Sequence, residues 1–333
     1  IAAATNRLFD SGKAREPPRA GRILTSPTSD PSTRHPSTAI NVCACGAFDA
    51  AQWLYGRGAK SVCVLDFASD TTAGGGWRGN QVGTQEESLC RNSSLGRALE
   101  ALPYPLPALG VAYVPEVAVL RVESAPRTLL SPPFHVAAVA AALRDVGGDD
   151  PDKKQRAFLA AKVEGVLSAM SCHRHDAIVL GSWGCGAFGN PHALVAEAFA
   201  AALGGRFAHA FVHVAFADPS QVGQVAFLRA LRPLGAARRP EDEEKIAPIA
   251  VRRALSEQYG AGASAHTEEA MVEWMEAGVA GREAAQRREW ALAAECFARC
   301  VALRPEWAKG HELLARVRAR SVAEIIFVPK FYG

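Results

Sequence analysis

The chain has 333 residues, 49% hydrophobic and 21% charged, with a formal net charge of +3. That is enough apolar material for one large domain or a domain with an appendage, and the charge is too nearly balanced to mark a nucleic-acid binder. Eight cysteines in this length do not make a disulfide scaffold, and no apolar run is long enough to span a bilayer.

From the amino end, residues from about Gly12 to Ser37 are rich in Pro, Ser, Thr and Arg without apolar periodicity. Residues 1–38 therefore read as a poorly ordered lead-in. Ile1 in place of methionine fits a fragment or processed product, and Asp10, Glu16 and Asp30 argue against an organelle-targeting remnant. AINVCAC is a strand, Ala50 to Tyr55 a short helix, and SVCVLDFA a second, strongly apolar strand. Three glycines follow. GTQEESLCRNSSLGRALEAL then has helical spacing, with Leu89, Leu95 and Leu99 among its apolar positions and Thr84 as N-cap.

VAYVPEVAVLRV and FHVAAVAA are strands, and KKQRAFLAAKVEGVLSAMSCH is an amphipathic helix offering Phe158, Val163, Val166 and Leu167 for burial. DAIVLGSW is an apolar strand ending in a second glycine loop, GCGAFGN. PHALVAEAFAAAL is a helix entered through Asn190 and Pro191, and FAHAFVHVAFA is a further strand. Apolar strands alternating with helices predict a layered α/β fold with both glycine loops near one edge of the sheet, where ligands usually bind.

After Pro233 the texture changes. Residues 236–333 are charge-rich and helical, with no strand before the terminal EIIFVPKFY. Gly281, Ala284, Ala293, Phe297 and Pro305 fall at the offsets of a tetratricopeptide unit, with Cys300 at a small-residue position. One unit does not make a solenoid, so a helical appendage packed on the main domain is expected. The domains are then 1–38, 39–235 and 236–333. Cys43 and Cys45 have half-site spacing but no answering pair; Cys172 with His173 and His175 comes nearest. Ordinary reduced cysteines and no metal are expected.

The chemistry centres on GGGWRGNQVGTQEE. Gly74, Gly75 and Gly76 have no side chains to hold the backbone away from a ligand, and their amides are able to line a concavity for phosphate oxygens. A tight turn after a buried strand explains the glycines equally well. No Lys-Ser or Lys-Thr follows, so this is not a P-loop, and Gly184, Gly186 and Gly189 match dinucleotide-fingerprint spacing without its context. Two glycine loops, each after an apolar strand, suit a diphosphate-bearing nucleotide. Glu86 and Glu87 open a helix, where ionised carboxylates are favoured and simple capping is the plainest role. Adjacent residues do not share a helix face, so they would serve different groups of one ligand, one holding sugar hydroxyls and one donating a proton. Proton donation needs a raised pKa.

GGG followed by QEE, with LDFAS before and SLCRNSSL after, YPLPALGVAYVPEVAVLRV, and VLGSWGCGAFGNPHALVAEAF resemble the microbial-type poly(ADP-ribose) glycohydrolases over roughly residues 39–217. The resemblance implies a macrodomain-like three-layer α/β/α fold with a mixed sheet, plus the helical appendage. It implies hydrolysis of ribose–ribose O-glycosidic bonds, releasing ADP-ribose, without cofactor or metal. Glu87 would be the catalytic acid and then activate water, Glu86 would bind ribose hydroxyls, and Gln85 would support the pair. Gly74–Gly76 would lie beside the ribose and diphosphate. Gly184, Cys185, Gly186, Ala187, Phe188 and Gly189 would form the diphosphate loop, Phe188 packing on the distal ribose. Cys185 invites a nucleophile reading, but no histidine pairs with it.

Asp66 stands where that family often has Asn, and Ala73 replaces its Pro. Implied partners are poly(ADP-ribose) or ADP-ribosylated proteins, and a protein for the C-terminal helices, with no membrane and no sequence-specific nucleic acid; a soluble intracellular setting is expected. Arg78, Lys153, Lys154, Arg238 and Arg239 are available to attract a polyanion. A reader module without turnover and a mono-ADP-ribosyl-protein hydrolase are the alternatives.

Overall fold

The structure, a computed structural model, describes residues 1–238 except 19, 28–29, 32–33, 80–83, 124–126 and 145–150, and also 277, 281, 284–285, 290–303, 311 and 313–319. It divides into two compact units, Ile1–Asp242 and Glu243–Gly333.

The first unit is built on an eight-stranded mixed sheet. Its strands are β1 (Arg22–Leu24), β2 (Ala39–Cys43), β3 (Val62–Phe67), β4 (Val111–Arg121), β5 (Leu129–Ala141), β6 (Ala177–Leu180), β7 (His213–Ala217) and β8 (Ala237–Arg238), in the order β1-β4-β5-β3-β6-β7-β2-β8. Pairing is parallel from β5 through β8 and antiparallel for β1 with β4 and β4 with β5. Central strands of such a sheet are covered on both faces, which is why β6 reads as an unbroken apolar run and β3 as one interrupted only by the buried Asp66.

Helices α1 (Ala2–Asp10), α2 (Ala47–Gly56), α3 (Gln85–Asn92), α4 (Leu95–Leu99), α5 (Lys153–Cys172), α6 (His192–Gly204) and α7 (Gln221–Leu231) complete the unit. One face of the sheet buries Val62, Val64, Ala138 and Val179 with Phe48 and Leu54 of α2, Leu89 of α3 and Leu95 and Leu99 of α4. Along a strand side chains alternate between faces, and Phe216 of β7 meets Phe199 of α6 and Phe227 of α7, with ring centroids 5.7 and 4.5 Å apart. The result is a three-layer α/β/α fold. Among the described residues, no helix is long and apolar enough to cross a membrane.

Several local expectations change. The helix expected over 83–102 is two helices. Ser93 is extended (φ −148°, ψ −175°) and bridges to Val119, while Ser94 N–H donates to Ala118 O at 3.0 Å. Strand pairing with β4 thus interrupts a helical pattern that local spacing would continue. Phe158 is 38% exposed, and the buried stripe of α5 runs instead through Leu159, Val163, Val166 and Leu167. α6 starts one residue late, with Pro191 at its cap, because the Asn190 amide turns inward.

Within 1–38 the structure contains α1, whose Phe9 packs on Ala118 and Leu120, and β1, registered Ile23↔Ala112 on β4. Backbone pairing makes this edge strand, so no side-chain pattern announces it. Likewise β8 adds two residues of strand beyond 235, paired Asn41↔Ala237 and Val42↔Arg238.

In the second unit, α8 (Trp290–Leu303) contributes Ala293 and Phe297 to a small core with Ala284, Leu314 and Val317. A Cβ on Gly281 would come within 2.8 Å of the Phe297 ring, which explains a glycine at that repeat offset. Pro305 and the terminal EIIFVPKFY lie outside the described residues, as does the side chain of Cys300.

Candidate active site

Strands β5, β3 and β6 are adjacent and parallel, so the segments leaving their C-terminal ends emerge along one edge. Registered pairing of β3 with β6 ends at Val64↔Val179. Beyond it the Gln85 carboxamide substitutes for a further rung. Its Nε2 donates to Leu65 O at 2.8 Å and its Oε1 accepts from Phe67 N–H at 2.9 Å. Both polar ends of Gln85 are therefore engaged by β3, and its place is to fix the start of α3 against the strand.

That fixed start presents Glu86 and Glu87 to the glycine loop. Glu86, 2% exposed, accepts from Ser69 N–H at 2.8 Å through Oε2, while its buried Oε1 has no partner. Glu87, 8% exposed, accepts from Gly76 N–H at 3.0 Å through Oε1, and through Oε2 from Thr84 N–H at 2.6 Å and Thr84 Oγ1 at 2.5 Å. Gly75 has φ +56°, and a Cβ there would lie 2.7 Å from Glu87 Oε1 and 2.9 Å from Glu86 Oε2. Glycine is required here by both backbone conformation and close approach.

In this structure the loop amides are engaged within the chain. Gly74 N–H serves Glu86, Gly75 N–H donates to Thr72 O and Gly76 N–H to Glu87. Arg91 holds the loop from behind, donating to Trp77 O, Gly76 O and Gly79 O at 2.9, 3.1 and 3.3 Å.

The two glutamates are polarised in opposite senses. Burial pushes Glu86 up to about 9, helped by the neighbouring Asp66 carboxyl. Asp66 itself, fully buried, is raised to about 8, by burial first and by Glu87 second. Burial also acts on Glu87, but the Thr84 hydroxyl and the Gly76 and Thr84 amides outweigh it and hold Glu87 below the ordinary glutamate value. At neutral pH the free protein carries a neutral Glu86 beside an ionised Glu87.

The second loop leaves its central amides open. Trp183 Nε1 donates to Ala141 O at 2.8 Å and Asn190 Nδ2 to Leu143 O at 3.0 Å, so both ends of the loop are tied to the end of β5. Among the described residues, no intramolecular acceptor is found for the amides of Gly186, Ala187 and Phe188, and Gly186 has open space where a Cβ would point. Phe188 is half-buried, with the Arg144 guanidinium 5.6 Å from its ring centroid. Cys185 is a half-buried thiol pushed up to about 12 by burial and by Asp218, which fits no nucleophile.

Sequence reasoning missed Asp70 and Arg144, which leave the ends of β3 and β5 and pair at 2.5 Å along this edge. They are far apart in sequence and carry no motif; only the strand order joins them. It also missed Lys162, buried on α5, whose Nζ donates to Ala108 O at 2.9 Å and which burial lowers to about 8. Of the cations named for a polyanion, Arg78 pairs with Glu100 at 2.6 Å, Arg238 donates to Gln224 Oε1 at 2.8 Å, Lys153 and Lys154 open α5, and Arg239 lies outside the described residues. Among the described residues no group of three His, Cys, Asp or Glu side chains is arranged to hold a metal ion.

Residues 3–105 match the family model described as microbial-type PARG, catalytic domain. Its start at residue 3 includes α1 and β1, further toward the amino end than motif similarity reached. The poly(ADP-ribose) glycohydrolase of Thermomonospora curvata, solved with the inhibitor ADP-HPD, is 31% identical over 68% of this chain and 97% of that one, with a TM-score of 0.59. The poly(ADP-ribose) glycohydrolase of Deinococcus radiodurans, solved with ADP-ribose, is 28% identical over 65% and 95%, with a TM-score of 0.56. No curated protein sequence matches the chain.

Proposed function

The chain belongs to the poly(ADP-ribose) glycohydrolase family, and from that premise we propose that it hydrolyses ribose–ribose O-glycosidic bonds of poly(ADP-ribose) at the Glu86–Glu87 pair, releasing ADP-ribose. The observation that carries this reading is the pair itself, fixed at the first turn of α3 against the amides of the glycine loop.

Glu87 is assigned the reacting role. A carboxylate held by Thr84 and Gly76 is rigid and points one oxygen along the loop where the scissile ribose would lie. Closure of the polyanionic substrate over it removes water and adds negative charge, both of which raise a carboxyl pKa and load it with the proton that the leaving ribose oxygen needs. Returned to the carboxylate form, the same group deprotonates the water that attacks the oxocarbenium-like carbon. Glu86, neutral, is suited to hold ribose hydroxyls, with the free amides of Gly186, Ala187 and Phe188 assigned to the diphosphate and Phe188 to the distal ribose. Asp70 and Arg144 would border the same cleft. This arrangement departs from the two-carboxylate pattern of most glycosidases.

One observation favours a second assignment. Burial raises Glu86 well above the ordinary glutamate value, so it is the carboxyl better suited to hold a proton for donation at neutral pH. Substrates with better leaving groups separate the two, because a good leaving group does not need protonation. The residue whose Gln variant recovers most activity on an activated ADP-ribosyl substrate is the acid.

The primary test is ADP-ribose release from poly(ADP-ribose) by the parent and by Glu87→Gln. A loss on the order of 10²- to 10⁴-fold, with ADP-ribose binding kept, is expected. Binding without release by either protein would move the reading to a module that recognises ADP-ribose without turnover. Single ADP-ribose units on proteins are a further candidate substrate, since they share the end that the site would grip. The helical unit Glu243–Gly333 is assigned to protein contact, on the support of its repeat-like packing around Phe297.

A further inference from the structure

Behind the glutamates lies a cluster that the reaction as described does not use. Asp66 is the penultimate residue of β3, 0% exposed, and neither of its oxygens has a partner. Two more unpartnered buried oxygens belong to the same neighbourhood, Glu86 Oε1 and the Tyr104 hydroxyl. The charges that act on Asp66 and on Tyr104 come from Glu86, Glu87 and Cys90; no lysine or arginine is among them. A fully buried carboxylate with neither cation nor donor is not a stable species. Glu87 has three donors and takes the negative charge, so protons must reside on Asp66 and Glu86.

We propose that Asp66 is a positioning residue paired with Glu86 as two protonated acids, a carboxyl-to-carboxyl hydrogen bond between an Asp66 oxygen and Glu86 Oε1 locking the rotamer that faces the substrate ribose. The bond fills two of the empty positions at once. Glu86 Oε2 already accepts from Ser69 N–H and from Gly74 N–H, so the remaining oxygen is the one that must carry or accept the proton. The groups facing Asp66 are Glu86, Glu87 and Cys90 from α3 and Tyr104 from the segment after α4, whose hydroxyl is buried and without a partner. The pair withholds negative charge from the place where a diphosphate-bearing ligand arrives. It loses that neutrality only when the first of its two protons leaves, which burial delays to pH above neutrality. The assignment rests on Glu86 belonging to the substrate site.

The test combines two readouts on Asp66→Asn and Glu86→Gln, both near-isosteric. The infrared carbonyl band of protonated carboxyl, read at neutral pH and again in alkali, reports the pair without any ligand. The parent should show the band at neutral pH and lose it in alkali, and each variant should lose about half of it at neutral pH and shift the frequency of the remainder. In parallel, ADP-ribose affinity is followed against pH. The parent should weaken in alkali as the pair ionises, and the midpoint of that weakening should move by about one pH unit or more in Asp66→Asn. An unchanged band and an unchanged midpoint in Asp66→Asn would overturn the proposal. So would a parent without the band. Failure to bind ADP-ribose or cleave polymer at any pH would instead count against the glycohydrolase reading, and the infrared arm would still decide the pair.

Discussion

Gly75 concentrates two constraints on one α-carbon, a left-handed backbone and two carboxylate oxygens inside the reach of a Cβ. Gly75→Ala therefore costs about 1–2 kcal/mol from conformation alone and displaces Glu86 and Glu87 together. Turnover should fall more than ADP-ribose affinity does. Gly186→Ala in the second loop meets no atom and no strained φ, and should leave the melting temperature within error. Parallel melting curves and kinetics on the two variants check the contrast. Charge at Glu87 has a stability signature as well. Its folded pKa is depressed, so it contributes stability that is present above the ordinary glutamate value and lost as pH falls through the lower folded value. The destabilisation of Glu87→Gln relative to the parent should be visible at neutral pH and shrink in acid, as pH-dependent thermal melts will show.

At the scale of the element, the join between β3 and α3 is made by one side chain. Gln85→Ala removes two hydrogen bonds and strands Leu65 O and Phe67 N–H, at a cost of about 2–4 kcal/mol. Hydrogen exchange at the Phe67 amide should accelerate while the strand interior stays protected. β3, β6 and the start of α3 were legible in sequence because apolar runs, flanking glycines and Thr84 are local signals. The break between α3 and α4 was not, since the leucine spacing continues straight through Ser93 and the interruption comes from Val119 on another strand. The candidate site divides the same way. Its residue types could be read from GGG and QEE, but the direction of the glycine amides depends on which acceptors fold back onto them. Asp70 and Arg144 become neighbours only through the order of β3 and β5.

For the whole molecule, all eight described strands lie within the first unit, the last ending at Arg238. A chain ending at Asp242 should unfold in one cooperative transition and bind ADP-ribose as the full chain does; a calorimetric scan and a titration check both. Removing α1 should be far less tolerated. Thr5 is fully buried and its Oγ1 donates to Arg91 O at 2.7 Å, on the residue that braces the glycine loop.

The strand order also sets a timetable for synthesis. β2 is made early, yet its partners β7 and β8 lie more than 160 residues downstream. Such long-range parallel pairing closes slowly, because the intervening chain must be ordered before the contact is rewarded. A ribosome-bound chain that has extruded α3 therefore still lacks one wall of its own sheet, and the apolar strand β3 waits for β6 on one side and β5 on the other. The amides that Glu86 and Glu87 accept from precede them in the chain, but the strands that flank β3 come later, so a nascent product truncated after α3 should expose apolar strand edges that favour aggregation.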